Sequence, residues 1–231
     1  MDFFNEECSQ SGSTCGFGSD QTDLRQNANR SRRDRSYRSA SPFRGSRTIA
    51  RDIDLAVALN LDEFGLLTGS LAGLGWKPAP KLEQRWTAPR GTMVDLVPAG
   101  PELRRRGATV WPVSQFTMSL AGFDHVFGRA VEMPVPGGLR LRVAPPVITT
   151  LLKMSAYVED RHRRSKDLQD IRVVLRGYED GTDRLFSDEV FDAQIPDFEF
   201  ANALLLGLDL RGLATGEDAE CVNRFLAHFL E

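Results

Sequence analysis

The sequence predicts an α/β (α+β) protein, a small mixed β-sheet core with helices followed by a C-terminal helical region. Three observations predict it. Short apolar and β-rich runs bounded by Gly and Pro, such as "IDLAVAL", "QRWTA" and "TMVDLVPAG", fill the stretch after Arg51. Helix-period apolar patterns dominate from Pro145 onward. Strands first and helices last is an order that belongs to this class. A chain of 231 residues holds one sizeable domain, or one domain with a small appendage. The expected division is an N-terminal segment 1–47, a core over 48–145 and a helical region over 146–231.

Segment 1–47 is rich in Ser, Gly, Asn and Arg and poor in aliphatic residues. It cannot bury enough apolar surface to offset the entropy of ordering, so it is expected to be disordered. Between Arg25 and Arg51 arginine recurs against a single acid, Asp34. Both a solvated tail and a contact with phosphate or nucleic acid fit that run.

Beyond it, "IDLAVAL" reads as a strand. "LDEFGLLTGSLAGLG" reads as a helix opened by Asn60 and closed near Gly75. "QRWTA" and "TMVDLVPAG" form a hairpin around "PRG". "SQFTMSLAGFDHVFGRA" is expected to make a helical turn before an extended run. "VEMPVPGGLRLRVAPP" gives two strands around Pro-Gly-Gly. Pro145 and Pro146 start an amphipathic helix, "PVITTLLKMSAYVED". "SKDLQDIRVVLRGYE" is a second helix ending at Gly177, and "DFEFANALLLGLDLRGL" and "GEDAECVNRFLAHFLE" supply two more. No internal repeat is present.

Composition excludes several classes. Net charge is −3, so the whole molecule is not an obvious polyanion binder. The longest apolar runs are too short for a membrane span, and "MDFFNEECSQ" lacks the basic and apolar regions of a secretory signal. Cys8, Cys15 and Cys221 form no metal-ligand spacing. A reduced, cytoplasmic protein with no membrane partner is expected. His125, His162 and His228 are scattered and read as surface residues. No Walker loop, G-x-G-x-x-G or G-x-S-x-G is present.

Charge in the strands is the informative feature. Side chains at i and i+2 of a strand share a face, so Asp52 and Asp54 project together from the first strand. Paired carboxylates repel unless a cation lies between them, and Mg²⁺ takes a few carboxylate oxygens and completes its shell with water and phosphate. Asp95 sits in a second apolar β-run, where an unpaired charge is costly. If the two strands are neighbours, Asp52, Asp54 and Asp95 form the triad suited to two-metal phosphoryl chemistry. The alternative is an exposed strand start whose aspartates keep the edge soluble.

The stretches "RDIDLAVAL", "GWKPAP…QRWTAPRGTMVDLVPAG", "SLAGFDHVFGRAVEM", "LRVAPPVITTLLKMSAYVEDRHRRSKDLQDIRVVLRGYE" and "ALLLGLDL" together resemble bacterial nucleotidyltransferases of the DNA polymerase beta superfamily, in particular AbiEii-type abortive-infection toxins. The resemblance runs from Arg51 to Leu210. It implies two Mg²⁺ ions held by Asp52, Asp54 and Asp95, with Asp95 helping to deprotonate an attacking hydroxyl. It implies nucleotide contacts from Lys153 and from the K-D-x-x-D element with Lys166, Asp167 and Asp170. On the residues alone, Lys153 fits a solvated helix face equally well, and Lys166 with Asp170 fits an i,i+4 brace. The implied reaction moves a nucleoside monophosphate from an NTP to a hydroxyl of an RNA end or a protein side chain. The implied partner is an antitoxin protein.

One element of the superfamily pattern is replaced. A strand and a Gly-Gly or Gly-Ser turn opening a helix ordinarily precede the D-x-D strand and cradle the triphosphate. Here the Arg/Ser-rich segment occupies that place. Gly18-Ser19 has the better local context for such a turn, while Gly45-Ser46 lies too close to Asp52 for a helix to fit between. Arg44, Arg47 and Arg51 offer phosphate-binding charge in its stead. A catalytically degenerate relative that binds nucleic acid or protein is therefore the second expectation.

Overall fold

The computed structural model describes residues 52–135 and 137–230. The expectations for segment 1–47, including Gly18, Ser19, Gly45 and Ser46, lie outside the described residues, as does the side chain of Asp52. The fold is mixed α/β, with one four-stranded sheet, two two-stranded ribbons and a helical C-terminal part.

The sheet is built from β1 (Asp52–Val57), β2 (Lys77–Ala79), β3 (Leu82–Thr87) and β4 (Met93–Pro98), in the order β1-β4-β3-β2. β4 runs parallel to β1 and antiparallel to β3. The predicted hairpin joins β3 to β4. Ala88 N–H donates to Thr92 O at 2.8 Å, and Gly91 takes φ 87°, which a side chain would resist. α1 (Leu61–Gly73) follows β1, and Glu63 accepts the backbone N–H of Asn60 at 2.9 Å, closing the first turn.

Along β4 the faces alternate as period two requires, with Val94, Leu96 and Pro98 buried and Met93, Asp95 and Val97 less so. Val94 and Leu96 pack with Trp86 of β3, Phe64 of α1 and Trp111, forming one apolar core. The opposite face is covered only in part. There Val97 packs with Leu103, Leu120, Phe123 and Phe127, brought by α2 (Pro101–Arg106) and α3 (Phe123–Arg129).

The chain approaches itself closely where these strands end. A Cβ on Gly100 would collide with the Asn60 carboxamide and lie 2.5 Å from Asn60 N. Only glycine fits between that backbone and the start of α2, and Gly100 N–H also donates to Leu59 O at 2.9 Å.

β5 (Ala108–Val110) and β6 (Thr117–Ser119) form one ribbon, β7 (Val131–Pro134) and β8 (Arg140–Val143) the other. In "SQFTMSLAGFDHVFGRA" the expected helical turn is α3, which precedes the extended run β7, and the short strand β6 comes before it. Gly122, at φ 79°, turns the chain between β6 and α3.

α4 (Pro146–Glu159) is the centre of the helical part. Its Val147, Ile148, Leu151, Met154 and Tyr157 meet Ile171 of α5 (Ser165–Gly177), Leu206, Leu210 and Leu213 of α7 (Ala201–Leu213) and Phe225 of α8 (Glu217–Leu230). Among the described residues no helix is long and apolar enough to cross a membrane.

Between α5 and α7 the chain makes two 3₁₀ turns, Asp183–Phe186 and Phe198–Phe200, and the short α6 (Asp188–Phe191). Arg184 anchors the first turn. Its guanidinium forks onto Asp209 of α7 at 2.6 and 2.8 Å, and Tyr178 Oη donates to the same carboxylate at 2.6 Å. Burial works to raise the pKa of Asp209, but the hydrogen bonds from Arg184 and Tyr178 outweigh it and hold the carboxyl below its ordinary value.

Two stability predictions follow from these packings. Because the folded-state pKa of Asp209 is depressed, its stabilisation is complete above the ordinary value of 3.8 and is lost as pH falls through the folded value. Asp209→Asn therefore costs on the order of 2 kcal/mol at neutral pH, and the gap to wild type closes as pH falls below 3.8 in urea titrations. Gly100→Ala costs about 3 kcal/mol in the same titrations, since backbone rather than a flexible side chain must move.

Candidate functional site

The register of the sheet places the predicted carboxylates. Asp54 is the Cα partner of Asp95 across the parallel β1/β4 pair, and Asp52 pairs with Met93. Register partners share a face, and neighbouring strands lie about 4.8 Å apart, so the Asp54 and Asp95 side chains leave the sheet side by side. Asp54 is exposed, while the Asp95 side chain is 14% exposed. The two stand on the face opposite Trp86, Val94 and Leu96, short of the part that α2 and α3 cover.

A third charge completes the row. Arg85 of β3 is the Cα partner of Asp95 on its other side. Its Nε donates to Asp95 Oδ1 at 2.8 Å and its terminal nitrogen to Oδ2 at 2.7 Å, a bidentate pair. Asp95 therefore lies between an acid and a base, and the guanidinium offsets both its desolvation and its repulsion from Asp54. The sequence reading passed over Arg85. Its signal was the hairpin, because a turn over Ala88–Thr92 sets Thr87 opposite Met93 and Arg85 opposite Asp95.

The donor set suits a hard divalent cation. Mg²⁺ is ordinarily held by one or two carboxylates, with phosphate and water completing its shell, and Asp54 and Asp95 supply two on one face. A carboxylate has about four acceptor positions, of which the Arg85 fork uses two. Asp95 thus keeps acceptor capacity while its orientation is fixed. Among the described residues no group of three His, Cys, Asp or Glu side chains stands at ligating distance.

Lys153 has different surroundings. From α4 its Nζ donates to Asp167 Oδ1 at 3.2 Å and to Asp170 Oδ2 at 2.6 Å, both on α5. Burial works to lower the pKa of Lys153, but the Asp170 hydrogen bond and the charges of both aspartates outweigh it, so the ammonium is held above its ordinary value. A solvated helix face is thus not the setting of Lys153. The helical brace is also different from that expected, since Asp170 pairs with Lys153 and not with Lys166, which is exposed.

Asp167 is almost fully buried, and its Oδ2 has no hydrogen-bond partner among the described residues, with the Arg164 guanidinium 3.8 Å away. His125, read from sequence as a surface residue, is only 19% exposed at its side chain, and its Nε2 lies 2.9 Å from Asp218 Oδ2 of α8. It ties α3 to the last helix, a contact between distant parts of the chain that local sequence does not announce.

Removal of Lys153 leaves a buried carboxylate without its nearest cation. Lys153→Met is expected to destabilise the fold by about 3 kcal/mol, and Lys153→Arg by much less, in thermal or urea unfolding.

No model of a known protein family matches the chain, and no curated protein matches it significantly.

Proposed function

We propose that the chain is a Mg²⁺-dependent nucleotidyltransferase that moves a nucleoside monophosphate from an NTP to a hydroxyl acceptor. The observation that carries this reading is the register that sets Asp54 beside Asp95 on one sheet face. Asp52 begins the same strand and is the third carboxylate that the resemblance to the polymerase beta superfamily asks for.

Asp54 and Asp95 would hold the cation, together with Asp52. A Mg²⁺ held there would neutralise phosphate charge and stabilise the attacking and leaving oxygens of an in-line displacement. Arg85 fixes the plane of the Asp95 carboxylate and adds positive charge beside the site. In this reading Asp95 would accept the proton of the attacking hydroxyl through an oxygen lone pair that Arg85 does not use. The acceptor is an RNA end or a protein side chain. The biological role that the resemblance implies is the toxin of a toxin–antitoxin pair.

A second reading is a catalytically inert relative that binds nucleic acid or protein. One observation favours it: Arg85 already supplies a cation to Asp95.

Calorimetric titration of Mg²⁺ with each NTP into wild type and Asp54→Asn separates the two. The catalytic reading expects saturable, metal-dependent nucleotide binding that falls at least about tenfold in the variant. An absence of metal-dependent binding to wild type would overturn it in favour of the second.

A further inference from the structure

We propose that the paired phenyl rings of Phe186 and Phe198, with the carboxylates around them, form a docking surface for an arginine-rich segment of a partner protein. The surface is independent of the sheet carboxylates and of the reaction proposed for them.

Phe186 is 66% exposed and Phe198 48%, although each is a large apolar side chain. Their rings stack with centroids 5.6 Å apart and an interplanar angle of 21°. Phe191 and Phe200 of the same stretch are also exposed. Contiguous exposed aromatic surface of this kind marks an interaction site more often than a solvated face.

A poorly held loop does not account for this exposure. Arg184, two residues before Phe186, is tied to Asp209, Glu179 and Glu189, and Val190, four residues beyond it, is buried with Ala201 and Leu205. The turn is anchored on both sides of Phe186, and the ring still faces water. A rigid aromatic platform loses little entropy on binding.

Charge selects the occupant. Asp183 and Asp188 flank Phe186, Asp197 and Glu199 flank Phe198, and all four acids are exposed. Arg184, close by in sequence, is spent on its own carboxylates. Phosphate backbones and anionic lipid surfaces are repelled by such a rim. A guanidinium suits both of its components, stacking on a ring face while donating paired hydrogen bonds to a carboxylate. Lysine offers a point charge without the plane, so arginine is preferred over lysine.

The test is fluorescence anisotropy of a labelled peptide of alternating arginine and serine, titrated with the full chain. Saturable binding that weakens with salt is expected, with a lysine–serine peptide several-fold weaker. Phe186→Leu keeps an apolar side chain and removes the π face. Together with Phe198→Leu it is expected to weaken the arginine peptide about tenfold, with the unfolding midpoint little changed. Arginine-peptide affinity unmoved by the two leucines overturns the proposal. So does an RNA oligomer that binds wild type and is weakened by the same two substitutions.

Discussion

Arg85 and Asp95 face each other across β3 and β4, and the architecture of the sheet turns on that pair. A carboxylate with little exposure beside a second aspartate carries both a desolvation cost and a repulsion. β4 lies inside the sheet, so it can have an acid on one neighbour and a base on the other, whereas an edge strand has one neighbour only. The other face of β4 is committed to Trp86, Phe64 and Trp111, which leaves a single face for charge. α2 and α3 close that face only beyond Val97. Asp54 and Asp95 stand on the part of that face which this apolar packing does not reach.

The helical part uses charge for a different purpose. Lys153 with Asp167 joins α4 to α5, His125 with Asp218 joins α3 to α8, and Arg184 with Asp209 fixes a turn against α7. Each pair is partly shielded from water, and His125 with Asp218 joins elements far apart in sequence. Such pairs stabilise modestly, but they penalise misassembly strongly, because a wrong packing strands a desolvated charge.

What could be read from the residues follows the length scale of the physics. The strand of Asp54, the β3–β4 hairpin and the five long helices were legible, since each spans enough residues to show its period or its turn chemistry. The adjacency of Asp54 and Asp95 was legible only as a condition on strand order. β2, β5 and the single-turn helix α2 were not, because three to six residues show no period. The partner of Asp170 was misplaced for a related reason. Spacing within one helix favours Lys166, and only the packing of α4 along α5 brings Lys153 nearer. Arg85 is the instructive omission, since the hairpin register already contained it.

Among the described residues β1 is an edge strand, paired with β4 alone and joined to it in sequence through α1 and the β2–β3 excursion. The β3–β4 hairpin closes over a five-residue turn and is local, while β1 must return across a far longer loop. The shorter closure favours forming the Arg85–Asp95 pair before Asp54 joins it, and Asp54 stands on a strand with a single described neighbour. Opening of that one strand would separate the two carboxylates while the hairpin and the helical core stay folded. The integrity of the site and the global stability of the protein are thus distinct quantities, and hydrogen exchange along β1 reports the first of them.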